Sequence, residues 1–207
     1  MVGRVYLSSS VADREKLHMK IGVLALQGSF IEHMRVMQRL GIEALPVRLP
    51  GELDGLDGLI IPGGESTTML SLMKSFRFIQ PLKELAQSEF PVLGTCAGMV
   101  CLAKQVSNYE METLAVMDIV VRRNAFGRQI DSFEAELPVP ALGDEPFHAV
   151  FIRAPFIEKA GSQVEILAKL SDGTAVVARQ GKLVVAAFHP ELANDLRFHS
   201  YFLEAVI

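Results

Sequence analysis

Short apolar runs alternate with helix-period segments through the first hundred residues, with only a few residues between them. Lys20-Ile21-Gly22-Val23-Leu24-Ala25-Leu26 reads as a buried strand. Ile31, Met34, Met37 and Leu40 then recur at helical steps until Gly41 stops them. Strands follow at 43–47 and 58–61, helices at 66–76 and near 78–87 with Pro81 in its first turn, and a short strand at 91–94. Helix is expected to continue through 100–103. Parallel strands need crossover helices, so this alternation predicts a doubly wound, mostly parallel α/β sheet with helices on both faces. Further on, strands are expected at 118–122, 132–137, 148–153, 164–170, 174–178 and 183–188. Asp172-Gly173 and Gln180-Gly181 are hairpin-type turns, so the second half adds an antiparallel extension. A helix from about 192 to 205 closes the chain.

With 207 residues, one domain is expected, able to bury roughly 70% of its unfolded surface. Met19 opens that domain (19–207). Residues 1–18, with Ser8-Ser9-Ser10 and mixed charges but no apolar run for a secretory signal, read as an extension outside the fold, a docking arm being the other reading. Twenty basic and 24 acidic residues leave a net charge of −4 without a basic block, which argues against nucleic acid. No apolar run approaches a membrane span. Two cysteines are too few for a disulfide framework and suit a reducing, cytoplasmic setting.

Gly94-Thr95-Cys96-Ala97-Gly98 joins a strand to a helix in the pattern of a nucleophile elbow. The glycines let strand and helix approach, the helix N-terminus favours a thiolate, and the Ala97 N–H faces a developing oxyanion. A buried structural cysteine is the plainer reading. Cys101, inside the following helix, reads as core. Of five histidines, His189 is the best partner base, because it ends an apolar strand where open α/β sheets carry their sites. Pro190 forces His189 into an extended conformation, which puts His189 and Glu191 on one side, so the carboxylate can hold the imidazole. No metal-ligand spacing is present, and none is expected. His33 and His199 read as surface or satisfied residues. Pro62-Gly63-Gly64-Glu65-Ser66 can turn backbone N–H groups toward a ligand, as an oxyanion-hole element or, less well matched, a phosphate cradle. Arg122, Arg123, Arg128 and Arg153 sit in loops or at strand ends and together could bind a small zwitterion's carboxylate.

These motifs resemble the class I triad glutamine amidotransferases. Leu26-Gln27-Gly28, the 62–69 stretch through Met69, Arg123-Asn124-Ala125-Phe126-Gly127-Arg128-Gln129 and Phe151-Ile152-Arg153-Ala154-Pro155 resemble the glutaminase subunits of pyridoxal 5′-phosphate synthases from Met19 onward. The resemblance implies Cys96 as nucleophile, His189 as base and Glu191 as its orienter. It implies Ala97 and Gly64 as the oxyanion hole, and Gly64, Glu65, Ser66, Arg123, Ile152 and Arg153 as the L-glutamine site. It further implies no cofactor, and ammonia passed to a (β/α)₈ synthase subunit that makes pyridoxal 5′-phosphate. A triad glutaminase or amidase serving another synthase, or a non-catalytic DJ-1-like cysteine sensor, are the alternatives.

Overall fold

A computed structural model describes residues 19–124 and 132–206. The 1–18 extension and the 125–129 part of the arginine motif lie outside these residues.

The first half folds as β1 (Lys20–Leu24), α1 (Phe30–Arg39), β2 (Glu43–Val47), β3 (Gly58–Ile61), α2 (Ser66–Ser75), α3 (Ile79–Gln87), β4 (Val92–Thr95) and α4 (Ala97–Leu102). The second half holds β5 (Ala103–Val106), β6 (Met117–Arg122), β7 (Ser132–Leu137), β8 (Phe147–Ile152), β9 (Phe156–Ala160), β10 (Glu165–Lys169), β11 (Ala175–Gln180), β12 (Leu183–Ala186) and α5 (Arg197–Val206). One sheet runs β2-β1-β3-β4-β12-β11-β9-β6-β5, with β10 paired to β11; β7 and β8 form a separate antiparallel ribbon.

The left part, β2-β1-β3-β4-β12, is wholly parallel. Strand order reverses between β1 and β3, and right-handed crossovers then place helices on both faces. This is the doubly wound core that the alternation predicts. Strands β1, β3, β4 and β12 are buried almost throughout, as expected of parallel strands covered on both sides. The antiparallel extension continues the same sheet through β11, β9 and β6, with hairpin glycines Gly173 and Gly181 at positive φ.

The structure corrects four local expectations. Helix α4 ends at Leu102, and Ala103–Val106 is instead a strand parallel to β6. Phe156–Ala160 is a strand that the sequence reading missed. The final helix begins at Arg197, not 192, because Asp195 turns back onto the Arg197 N–H (2.9 Å). Pro190–Leu192 is a short 3₁₀ turn, so His189 and Glu191 share a side by that turn rather than along an extended strand.

Candidate active site

Four neighbouring parallel strands, β1, β3, β4 and β12, end together, and each delivers one part of the site. Register fixes their relative heights: Ile61 pairs with Gly94, and Thr95 with Ala186. The residue after Thr95 is Cys96, at φ 48° and ψ −104°, a left-handed backbone that few side chains adopt. Its N–H donates to the Ala186 carbonyl at 2.8 Å, so the strained residue is tied to β12. A Cβ at Gly98 would lie 2.1 Å from the Ile61 carbonyl oxygen, and one at Gly94 would lie 2.9 Å from Gly98 backbone. Close packing of strand against helix therefore requires both glycines of the elbow. Cys96 is nearly buried, and its Sγ lies 3.9 Å from the Ile152 carbonyl oxygen.

Past β12, Phe188 anchors the next part. Its ring is fully buried, edge-on to Phe151 and Phe198 at 5.5 and 5.3 Å. The His189 N–H donates to the Val150 carbonyl of β8 at 2.8 Å. The His189 side chain lines the same cleft as Cys96, and its Nδ1 lies 2.7 Å from Glu191 Oε1. Burial pulls the imidazole down, but the neighbouring Cys96 and the hydrogen bond and charge of Glu191 push it up to about 10. Burial alone would raise the Glu191 carboxyl; His33 beside it, the hydrogen bond and charge of His189, and the Ser29 hydroxyl hold it at about 2. Imidazolium and carboxylate are thus the matched forms of this pair.

Strand β1 contributes Gln27 and Ser29 through the loop after it. The Ser29 hydroxyl donates to Glu191 Oε1 at 2.6 Å, and its N–H to the Gly63 carbonyl at 3.1 Å. Gly28 is at φ 92°, and a Cβ there would fall on the Gly63 carbonyl oxygen. The loop after β3 therefore packs directly on the loop after β1.

That β3 loop leads to Glu65, which caps α2. Its carboxylate accepts from the Thr67 and Thr68 N–H groups (3.1 and 2.7 Å), from both threonine hydroxyls, and from Arg123 Nη2 at 2.9 Å. Against its partial burial, these threonine bonds hold the carboxyl at about 2. Arg123 also stacks over Tyr109, 4.9 Å from guanidinium to ring centre, and its backbone is bonded twice to Asn108. The guanidinium is thus preorganised by an acid, an aromatic face and a fixed backbone. Sequence reasoning named Glu65 and Arg123 but not Tyr109 or Asn108, which lie in a loop with no motif.

A cleft of about 320 Å³ brings together Cys96, Ala97, His189, Gly64, Glu65, Ser66, Arg123, Ile152 and Arg153. Every predicted site residue lines it except Glu191, which is buried behind His189. Arg153 is at φ 43°, a left-handed turn at the end of β8. The volume suits a ligand of amino-acid size. A larger hollow of about 620 Å³ lies beyond Tyr109, between α2 and the 109–112 loop, away from the cysteine. Cys101 is fully buried, and burial pushes its thiol well above the ordinary range, as suits a core residue. Among the described residues, no group of three or more potential ligands could hold a metal ion.

Two residues missed by sequence reasoning stand behind Glu191. His33 and His199, read as surface or satisfied, are both completely buried. Their signal was present: His33 shares a helical stripe with buried Val36 and Met37, and His199 lies between buried Phe198 and Phe202.

A family model described as SNO glutamine amidotransferase matches residues 23–207. The chain belongs to the SNO glutamine amidotransferase family. Relatives in this family named pyridoxal 5′-phosphate synthase subunit PdxT include one from Herpetosiphon aurantiacus, 56% identical over 89% of this chain and 99% of the relative. Another, from Dehalococcoides mccartyi, is 58% identical over 90% of this chain and 96% of the relative. A solved structure described as a glutamine amidotransferase superposes with a TM-score of 0.85 at 47% identity, covering 90% of this chain and 98% of that one. The fold extends further: a Thermoplasma acidophilum protein described as a GMP synthase component aligns at TM-score 0.67 with 17% identity, over 91% and 94% of the two chains.

Proposed function

We propose that this SNO-family chain is the glutaminase subunit of a pyridoxal 5′-phosphate synthase, cleaving the side-chain amide of L-glutamine to L-glutamate and ammonia. The observation that carries the reading is Cys96 on a strained turn, sharing one cleft with Arg123 and with a His189 that Glu191 holds at 2.7 Å. The names of the 50–58% identical relatives support the synthase assignment.

His189 already holds the proton of the Cys96 thiol as imidazolium, so Sγ bonds to the amide carbon as a thiolate. The oxyanion that forms is stabilised by the N–H groups of Ala97 and Gly64. Its collapse breaks the carbon–nitrogen bond, and His189 returns the proton to the departing ammonia. Water, deprotonated by His189, then cleaves the thioester, releases glutamate and restores the thiolate. Glu191 fixes the imidazole and offsets its charge in both halves. Gly64, Glu65, Ser66, Arg123, Ile152 and Arg153 hold glutamine, with Arg123 and Arg153 on the α-carboxylate; Glu65 acts in part by aiming Arg123. None of these steps calls for a metal or cofactor.

Ammonia passes to a (β/α)₈ synthase subunit, and the pair works in the cytoplasm, where the two free cysteines suit a reducing setting. The test is glutamate release from glutamine by the full chain with its synthase subunit. Activity that vanishes in Cys96→Ala, together with labelling of Cys96 by a glutamine-analogue electrophile, is expected. Glutamate release undiminished in Cys96→Ala sinks the proposal.

A further inference from the structure

Glu191 holds His189 with one oxygen only. Oε1 takes both the His189 contact and the Ser29 hydroxyl, at 2.7 and 2.6 Å. Oε2 points the other way, into the protein, where it has no well-aligned hydrogen bond and faces His33 Nε2 at 3.3 Å. The same nitrogen lies 3.1 Å from the hydroxyl of Thr95, the residue before Cys96. On the far side of the ring, His33 Nδ1 is 2.9 Å from His199 Nε2. Helices α1 and α5 thus each send one fully buried histidine to the back of the site.

The contact pattern selects a protonation state. One of the two facing nitrogens, His33 Nδ1 or His199 Nε2, must carry the proton between them. Were it on His33 Nδ1, a bare His33 Nε2 would set its lone pair against the Glu191 carboxylate. His199 would then bury its Nδ1–H with no acceptor, the costlier kind of orphan. With the proton on His199 Nε2, His33 carries its own on Nε2, where the N–H can donate to the Thr95 hydroxyl at 3.1 Å while its positive edge faces Oε2 at 3.3 Å. The group left over is then a bare His199 Nδ1, the atom that has no partner in this structure.

Charge matters as much as direction. A cation at this position would satisfy Glu191 and compete with His189 for it. A neutral donor steadies the carboxylate and leaves its charge to the imidazolium. Burial, with the nearby charge of His189, keeps His33 below its ordinary range despite Glu191 and Glu32; burial and His33 hold His199 down at about 3. Both are therefore neutral at neutral pH. We propose that His33, locked by His199 in its Nε2–H form, is a positioning residue that aims Glu191, and through it His189, in the reaction. This rests on the glutaminase reading above.

Two measurements test it. Imidazole ¹⁵N spectra of the full chain report the tautomer directly. His33 is expected to carry a proton on Nε2 alone and to titrate below the ordinary imidazole range. An Nδ1–H form, or titration near 6.5, overturns the inference whatever any variant does. Kinetics with the synthase subunit then read the function. His33→Leu should lower kcat about ten- to a hundredfold with KM changed less than about threefold, the scale seen for outer orienting partners of active groups. The groups facing Glu191 are His189 on its own turn, Ser29, His33 with Glu32 on α1, His199 on α5, and Thr95 with Cys96 across His189. Removing the His33 donor leaves the carboxylate less well held, so the acid limb of kcat should move to higher pH. His33→Gln, which keeps an N–H at the same reach without a titrating group, should restore most of kcat and the original limb. Wild-type kcat and pH profile in His33→Leu, or equal loss in both variants, overturn this inference alone while Cys96→Ala remains inactive. If the wild-type pair shows no Cys96-dependent glutamate release, the glutaminase reading is what fails. Should His33→Leu not fold, the spectra and His33→Gln decide.

Discussion

Replacing Gly63 by alanine adds one methyl group where none fits. A Cβ there would fall 2.3 Å from His189 Cε1, 2.8 Å from His189 Nδ1 and 3.3 Å from the Cys96 Cβ. Carbon atoms rest about 3.5–4.0 Å apart, so the imidazole or the turn must give way by about 1 Å. The cause is steric alone, because the Gly63 backbone lies outside the left-handed region that penalises alanine. If the ring moves, the 2.7 Å contact to Glu191 opens. If the turn moves, the Gly63 carbonyl leaves the Ser29 N–H, and the Ser29 hydroxyl leaves Glu191. A 1 Å misplacement of a catalytic group costs about a hundredfold. Gly63→Ala should therefore lower kcat for glutamate release about a hundredfold, with a smaller change in KM. Overpacking should also destabilise the fold by about 1–3 kcal/mol, read from urea unfolding. Gly51→Ala is the control, since a Cβ there meets nothing within 4 Å. Folded Gly63→Ala with wild-type kcat would refute the reasoning.

Three further outcomes follow from the same geometry. Arg123→Lys should raise KM for glutamine about tenfold with little change in kcat, because lysine keeps the charge but loses the planar contact with Glu65 and the stack on Tyr109; an unchanged KM removes Arg123 from the substrate site. The stability difference between wild type and Glu191→Gln should peak between about pH 4.5 and 6.5. A carboxyl held at about 2 rather than 4.5 contributes roughly 3 kcal/mol that is lost as pH falls through that range, and the imidazole raised to about 10 loses its share as pH climbs from 6.5. The protonation of His33 and His199 is largely common to both proteins and cancels, so a pH-independent difference counts against the buried pair. Cys101→Ala should keep full activity while costing about 1–2 kcal/mol of stability, and loss of activity in the folded variant would show that Cys96 is not the sole essential thiol.

Legibility in the sequence followed the range of the interactions involved. The elbow, the His189–Glu191 spacing and the Pro62–Ser66 turn are local, and the structure brings Cys96, His189 and Gly64–Ser66 to one cleft with Glu191 buried behind His189. What escaped depends on partners distant in sequence. Ala103-Lys104-Gln105-Val106 has helix-favouring residues directly after a helix, and only pairing with β6 makes it a strand. Phe156–Ala160 follows Pro155 and carries Glu158 and Lys159, yet it bridges β6 and β11. Tyr109 and Asn108 acquire meaning only beside Arg123, and His33 and His199 only beside each other, 166 residues apart.

The site is set by the sheet rather than by its loops. Cys96 and His189 come from adjacent strands, and the Thr95–Ala186 pairing together with the Cys96 N–H bond to Ala186 fixes their heights. A slip of one residue in that ladder would turn Thr95 and Ala186 to opposite faces, so hydrophobic burial of β4 and β12 also enforces the catalytic geometry. The groups proposed to hold glutamine are held differently. Arg123 depends on Glu65, Tyr109 and Asn108, all exposed, with no strand pairing at Arg123 itself. Buried strands hold Cys96 and His189, while exposed contacts hold Arg123. Changes at the surface should therefore tune glutamine affinity readily, whereas the Cys96–His189–Glu191 geometry should change only when the core itself is disturbed.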